Sequence, residues 1–245
     1  QAIVEALKHR RSGVNLVALS DGWATSLEPA LLQPLQAPEL LARLNAAAAA
    51  VSRLFGSPDG APLAFPWAFS PWVLALRNHG ELLVSIELMG GDPNLLRQLR
   101  RQALACDEAQ GLNLLLNGDA RAAVLPLQRL IPQLRRDPRL QVVLPASGAP
   151  LSWQLLLRPA ASNTPLPVAW LEEILKPPLL AQALSAGWVP PLPRAELELA
   201  AAGLPPALRA LVLPADAVLQ RCWSLPPLPE RQRLLWQTLW DAAAP

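Results

Sequence analysis

Tyrosine is absent from this 245-residue chain, and several other residue types are scarce: two lysines (Lys8 and Lys176), one methionine, two histidines and two cysteines. Two cysteines cannot build a disulfide scaffold or a four-cysteine zinc site, and no CxxC or His/Cys spacing accompanies them. Cys106 and Cys222 lie far apart in helical contexts. They could pair in an oxidising compartment or stay as two buried thiols, and spacing leaves both open. Charged residues make up only 16% of the chain and hydrophobic residues 52%, which excludes a disordered protein. Long apolar runs are missing too. A membrane-spanning helix needs roughly 20 such residues, and the longest candidate, Ala46 to Val51, is a poly-alanine segment between Arg43 and Arg53. The formal charge is +2, and arginine carries nearly all of the positive side. The pairs Arg10-Arg11, Arg100-Arg101 and Arg135-Arg136 are dispersed over separate helical surfaces, so no basic stripe for nucleic acid forms.

Reactive motifs are also lacking. The chain has no GxSxG elbow, HExxH, Walker loop or GxGxxG turn. His9 sits between Lys8 and Arg10, and His79 lies in an Asn-His-Gly turn, so both read as solvated side chains. Spacing neither supports nor excludes a triad around Ser20 and Asp21. Glu172-Glu173, Glu196 and Glu198 read as solvated helix faces. We expect no enzyme, no cofactor and no metal. The chain opens at Gln1 on an amphipathic stretch with no signal peptide in view, which fits a processed or cut N-terminus.

What is present is proline, 28 residues of it, dividing the chain into short elements. Val14 to Leu19, Ala61 to Phe65, Trp72 to Leu76, Ala122 to Leu125, Gln141 to Leu144 and Trp153 to Leu157 read as apolar strands. Helices are expected over Pro38 to Leu54, from the Asp92-Pro93 start onward, to Leu116, over Pro126 to Arg136, and through most of the chain after Pro165. Short apolar strands alternating with helices predict an α/β protein with mixed, largely parallel sheets and a helical C-terminus. Nine tryptophans complete the inventory, several in turn-like or proline-flanked places: Trp23, Trp67, Trp72, Trp153 and Trp188. Indoles on loops at strand ends are candidates for lining a ligand cleft in such folds.

The order of motifs resembles one family. Val14 to Trp23 (VNLVALSDGW) followed by Leu31 to Leu35 (LLQPL) is similar to an apolar strand, ligand loop and "gLLqpLd" segment. Leu63 to Ser70 (LAFPWAFS) resembles a "ysvPyaWGTtG" cleft segment, and Asn117 to Val124 resembles a "nGeawaav" step into a second-lobe strand. Val142 to Pro159 (VVLPASGAPLSWQLLLRP) is similar to "fvlPeeGtplWwDnlviP", and Leu213 to Leu219 with Trp236 to Trp240 resemble two closing helices. The family is that of bacterial periplasmic solute-binding proteins for spermidine and putrescine, components of ABC transporters.

The resemblance implies a two-lobed type II periplasmic-binding-protein fold with the ligand between the lobes. Residues 1–76 and 155–190 would form lobe one, and residues 77–154 and 191–245 lobe two, with crossing strands near 73–77 and 153–158. The family's first strand and helix would precede residue 1. Carried over position by position, the ligand-binding set is Ser20, Asp21, Trp23, Trp67, Ser70, Trp153, Gln154 and Trp188. Aromatic walls suit a polyamine because they stack on methylenes and attract ammonium groups. The acidic anchors depart from the pattern: Ala146-Ser147 and Gln154 stand where the family has carboxylates, and Trp188 and Pro191 replace a tyrosine and an asparagine. Each lost anchor removes a charge-assisted bond of about 1.5–3 kcal/mol. A less cationic solute, amino-acid-like or sugar-like, fits as well. The implied partners are a small solute and a membrane permease, with the protein a periplasmic monomer, free or lipid-anchored. The alternative is a binding-protein fold without a transport role, acting as a sensor or scaffold.

Overall fold

The computed structural model describes residues 5–7, 14–77, 93–105 and 107–243. His9, His79, Asp92 and Cys106 lie outside the described residues, and with Cys106 goes its pairing with Cys222.

Two long strands organise the molecule. β1 (Val17–Ser20) runs into the short helix α1 (Asp21–Ala24), and β2 (Leu32–Gln33) follows. α2 (Pro38–Ala42) and α3 (Ala46–Leu54) lead to β3 (Ala64–Arg77), a strand of 14 residues. α4 (Pro93–Gln102) and α5 (Glu108–Asn117) precede β4 (Ala122–Pro126), α6 (Leu127–Leu134) and β5 (Leu140–Val143). The second long strand is β6 (Pro150–Pro159). Beyond it come α7 (Val168–Glu173), α8 (Pro177–Ser185), α9 (Arg194–Ala200), α10 (Pro206–Val212), α11 (Asp216–Leu219), β7 (Trp223–Ser224) and α12 (Glu230–Ala242).

The sheet runs β1-β6-β3-β4, with β2 and β7 also on β6 and β5 also on β3. The expectation of largely parallel strands is corrected here. Every described pairing is antiparallel except β6 with β7. An apolar run marks a buried strand but carries no information about its direction. Direction is set by which distant strand it meets, and β3 meets β6, its partners running from Ala64↔Leu157 to Pro71↔Leu151.

β3 also corrects the proline punctuation. Ala61 to Phe65 and Trp72 to Leu76 are parts of one strand that passes through Pro66 and Pro71. The prolines fall where the ladder is already interrupted. Pro66 adjoins a bulge at Trp67, where the register to β6 shifts. Pro71 is the last residue paired with β6, and Trp72 is the first paired with β4. From Leu74 to Arg77, β3 holds β5 as well. One strand therefore serves two sets of partners in turn.

The bulge sets the core. Side chains alternate between sheet faces, so one inserted residue exchanges the faces beyond it. Ala64, before Trp67, and Phe69, after it, therefore turn to the same face. Val17, Leu19, Trp153, Leu155 and Leu157 join them there, all buried.

The expected helix over Pro38 to Leu54 is two helices, because Asn45 caps the second: its Oδ1 accepts from Ala48 N at 2.9 Å. Asparagine favours this position over a helix interior. Its Nδ2 also donates to Leu192 O at 3.1 Å. Arg43 reaches Glu196 at 3.4 Å, and α9 packs on α8. These contacts cross the lobe division expected at residue 190.

Arg194 joins α9 to the chain beyond α10. Its Nε donates to Glu198 at 2.7 Å, and its Nη1 donates to Pro214 O at 2.8 Å and to Asp216 at 2.7 Å. The ion pairs are exposed and contribute little. The backbone carbonyls of Pro214 and, at 3.4 Å, Leu213 are the groups that lose a donor in Arg194→Ala. We expect a loss of about 1–2 kcal/mol in denaturant unfolding, unchanged by added salt. A loss that vanished at high salt would assign the effect to the ion pairs instead.

Candidate functional site

The loop after β1 is built on the neighbouring strand. Ser20 is paired with Gln154 of β6, and Gln154 in turn with Ala68 of β3. The next residue, Asp21, has left the strand, and its carboxylate accepts from the backbone N–H of Gly22 at 3.0 Å, with the backbone of Trp153 also favouring its charged form. Asp21 is 6% exposed, and burial pushes its pKa up to about 6, against the smaller lowering effect of these hydrogen bonds. No ion pair to Asp21 forms among the described residues.

That carboxylate gives the protein a pH signature. Its folded pKa lies above the ordinary value of 3.8, so between about pH 4 and 6 the folded state holds a proton that the unfolded state has lost. Stability should be full below this window and fall by about 2–3 kcal/mol as pH rises through it. Asp21→Asn keeps an acceptor oxygen and cannot ionise, so its urea midpoint should be flat over the window and higher than the parent's at pH 7. An unchanged pH profile in the variant would exclude Asp21 as the source.

The two sheet faces sort the remaining candidates. Gln154, Ser20 and Ser152 share one face, with Ser152 paired to Ser70. Adjacent Trp153 must point to the other. It does: Trp153 is 0% exposed, its ring centroid lies 4.8 Å from that of Phe69, and its Nε1 donates to Ser224 Oγ at 2.7 Å. Trp153 is a core residue and does not face Trp67 across a cleft. Ser70 is also structural. It is fully buried, and its Oγ accepts from Gln128 N at 3.0 Å. This caps α6, whose own N-cap residue, Pro126, has no side-chain oxygen to offer.

Trp67, displaced from the ladder by the bulge, meets Trp188 with ring centroids 6.2 Å apart at 35°. Trp188 is delivered by a two-way backbone bridge between Phe69 and Val189, at 2.9 and 2.7 Å. Both indoles are half-buried, and Trp67 Nε1 is buried with no partner among the described residues. Trp23 lies on α1 and is 48% exposed. The structure thus pairs Ser20 with Gln154, and Trp67 with Trp188, with Trp67 next to Ala68, the partner of Gln154 on β3; Asp21, Ser70 and Trp153 are buried. Sequence reasoning missed Ser152, although its place two residues before Gln154 on one strand was a readable signal.

No protein-family model and no curated protein matches the sequence. Solved structures do. The spermidine/putrescine ABC transporter substrate-binding protein of Streptococcus pneumoniae is similar over 99% of this chain and 87% of its own, at TM-score 0.72 and 12% identity. The fold is that of ABC-transporter substrate-binding proteins. An ABC transporter protein of Clostridium perfringens is similar over 98% of this chain and 88% of its own, at TM-score 0.67 and 13% identity. A substrate-binding protein of Bradyrhizobium japonicum is similar over 99% and 86%, at TM-score 0.67 and 14% identity. Among the described residues no helix is long and apolar enough to cross a membrane, and no three His, Cys, Asp or Glu side chains group as metal ligands.

Proposed function

We propose that this chain is the solute-binding component of an ABC transporter, working outside the cytoplasmic membrane as a monomer that delivers a small polar solute to a permease. The observation that carries the reading is the likeness of almost the whole chain to substrate-binding proteins, at TM-score 0.72. At such identity the likeness speaks for the fold. The step to function rests on the site: unpartnered polar side chains on the paired strands β1 and β6, and a tryptophan pair that starts from the bulge of β3. Ser20, Gln154, Trp67 and Trp188 would contact the solute, with Trp23 at the rim. The lobes would be residues 1–76 with 155–190 and residues 77–154 with 191–245. Closure of one lobe on the other would be the signal a permease reads. No catalytic role is proposed, because the polar groups gathered here include no nucleophile–base pair.

Intrinsic tryptophan fluorescence of the protein, titrated with spermidine, putrescine, amino acids and sugars, tests this. We expect saturable quenching or a spectral shift with one class, lost in Trp67→Ala while the thermal midpoint drops by only a few degrees. A folded protein silent to every solute would favour the sensor or scaffold.

A further inference from the structure

We infer that the solute taken at this site is neutral and rich in hydroxyl groups, a sugar or polyol and not a polyamine; the inference rests on the solute-binding reading above. A diamine needs a carboxylate at each end, since an ammonium group withdrawn from water is costly unless paired. The strands that build the site carry none: β1, β3 and β6 contain no aspartate or glutamate. Among the described residues the acid that follows β1, Asp21, is buried and already accepts the backbone N–H of Gly22 at 3.0 Å.

What the site does offer is neutral and unengaged. The Ser20 hydroxyl, the Gln154 amide and the Ser152 hydroxyl make no side-chain hydrogen bond among the described residues, and all three side chains lie on one sheet face. Strand spacing of about 4.8 Å and a two-residue step of about 7 Å set these groups apart by the width of a sugar ring. Both hydroxyls and the amide can donate and accept, as a sugar hydroxyl can. Trp67, one residue before Ala68 along β3, adds an apolar ring on which the face of a sugar can stack.

The test is calorimetric titration of the full chain with glucose, sucrose, trehalose and mannitol against putrescine, spermidine and a set of amino acids, each at low and high salt. We expect one neutral solute to bind with an affinity that salt leaves unchanged, because no ion pair is screened. Gln154→Ala and Ser20→Ala should each weaken it at least about tenfold without moving the unfolding midpoint. Trp67→Phe, which keeps the ring and removes the N–H, should weaken it less than Trp67→Ala. Binding of a polyamine in preference to every neutral solute, falling as salt rises, would overturn the inference and leave the solute-binding reading standing. Silence toward both classes and toward amino acids, from folded protein, would overturn both.

Discussion

Trp153→Ala is expected to destabilise the protein by about 3–5 kcal/mol. The indole is fully buried at the centre of the sheet, between β1 and β3, against Phe69. Truncation removes the transfer free energy of the ring and leaves a cavity that three strands, fixed in register, cannot collapse to fill. It also strands the Ser224 hydroxyl that accepted from Nε1. Urea unfolding should show a lower midpoint with unchanged slope. Trp153→Phe, which fills most of the space and loses only the hydrogen bond, should recover more than half of the loss. If Trp153→Ala unfolded at the parent's midpoint and lost only solute binding, the residue would belong to a cleft wall after all.

The second large effect is expected at Gly148. Its φ is +95°, a conformation in which a side chain costs about 1–2 kcal/mol. Space is the harder constraint. A Cβ there would stand 2.1 Å from the carbonyl oxygen of Arg221 and 2.4 Å from its carbon, both backbone atoms. Rotamer changes cannot relieve such a clash, so the Gly148 turn and the segment leading into β7 must separate. The two are held together by Arg221 Nε donating to Ala146 O at 2.6 Å and by Trp223 N donating to Ala149 O at 3.2 Å. Moving them apart would pull β7 off β6 and take Ser224 away from Trp153. We expect Gly148→Ala to lose about 2–5 kcal/mol, strain and overpacking together. Because both changes act on one seam, the double variant with Trp153→Ala should lose less than the sum of the two. Additive losses would place Gly148 outside that seam.

The physical difference between local and distant information explains which parts of this protein could be read early. Strand positions were legible because apolar runs mark burial whatever the partner. Gln141 to Leu144 and Trp153 to Leu157 fall largely within β5 and β6, and Ala122 to Leu125 falls within β4. Helix starts were legible where the signal is a neighbour on the chain, as at Pro38 and Pro93. Proline was over-read as a boundary. Pro66 and Pro71 sit inside β3, because a bulge and a change of partner remove the demand for their missing N–H groups.

The candidate site divides the same way. The sequence by itself determined the residue types: tryptophans near strand ends, one acid after β1, and a glutamine and a serine where the resembled family has carboxylates. It could not tell which of those residues face a solute. Trp153 and Gln154 are neighbours that alternation sends to opposite faces, and only the pairing of β6 between β1 and β3 decides which face is core. The burial of Asp21 was equally hidden, since it follows from the pairing of β1 with a strand more than 130 residues away. Composition and local pattern determined the elements and the chemistry available to them. Tertiary pairing decided strand direction and which groups were left without partners, because both depend on contacts between segments far apart in the chain.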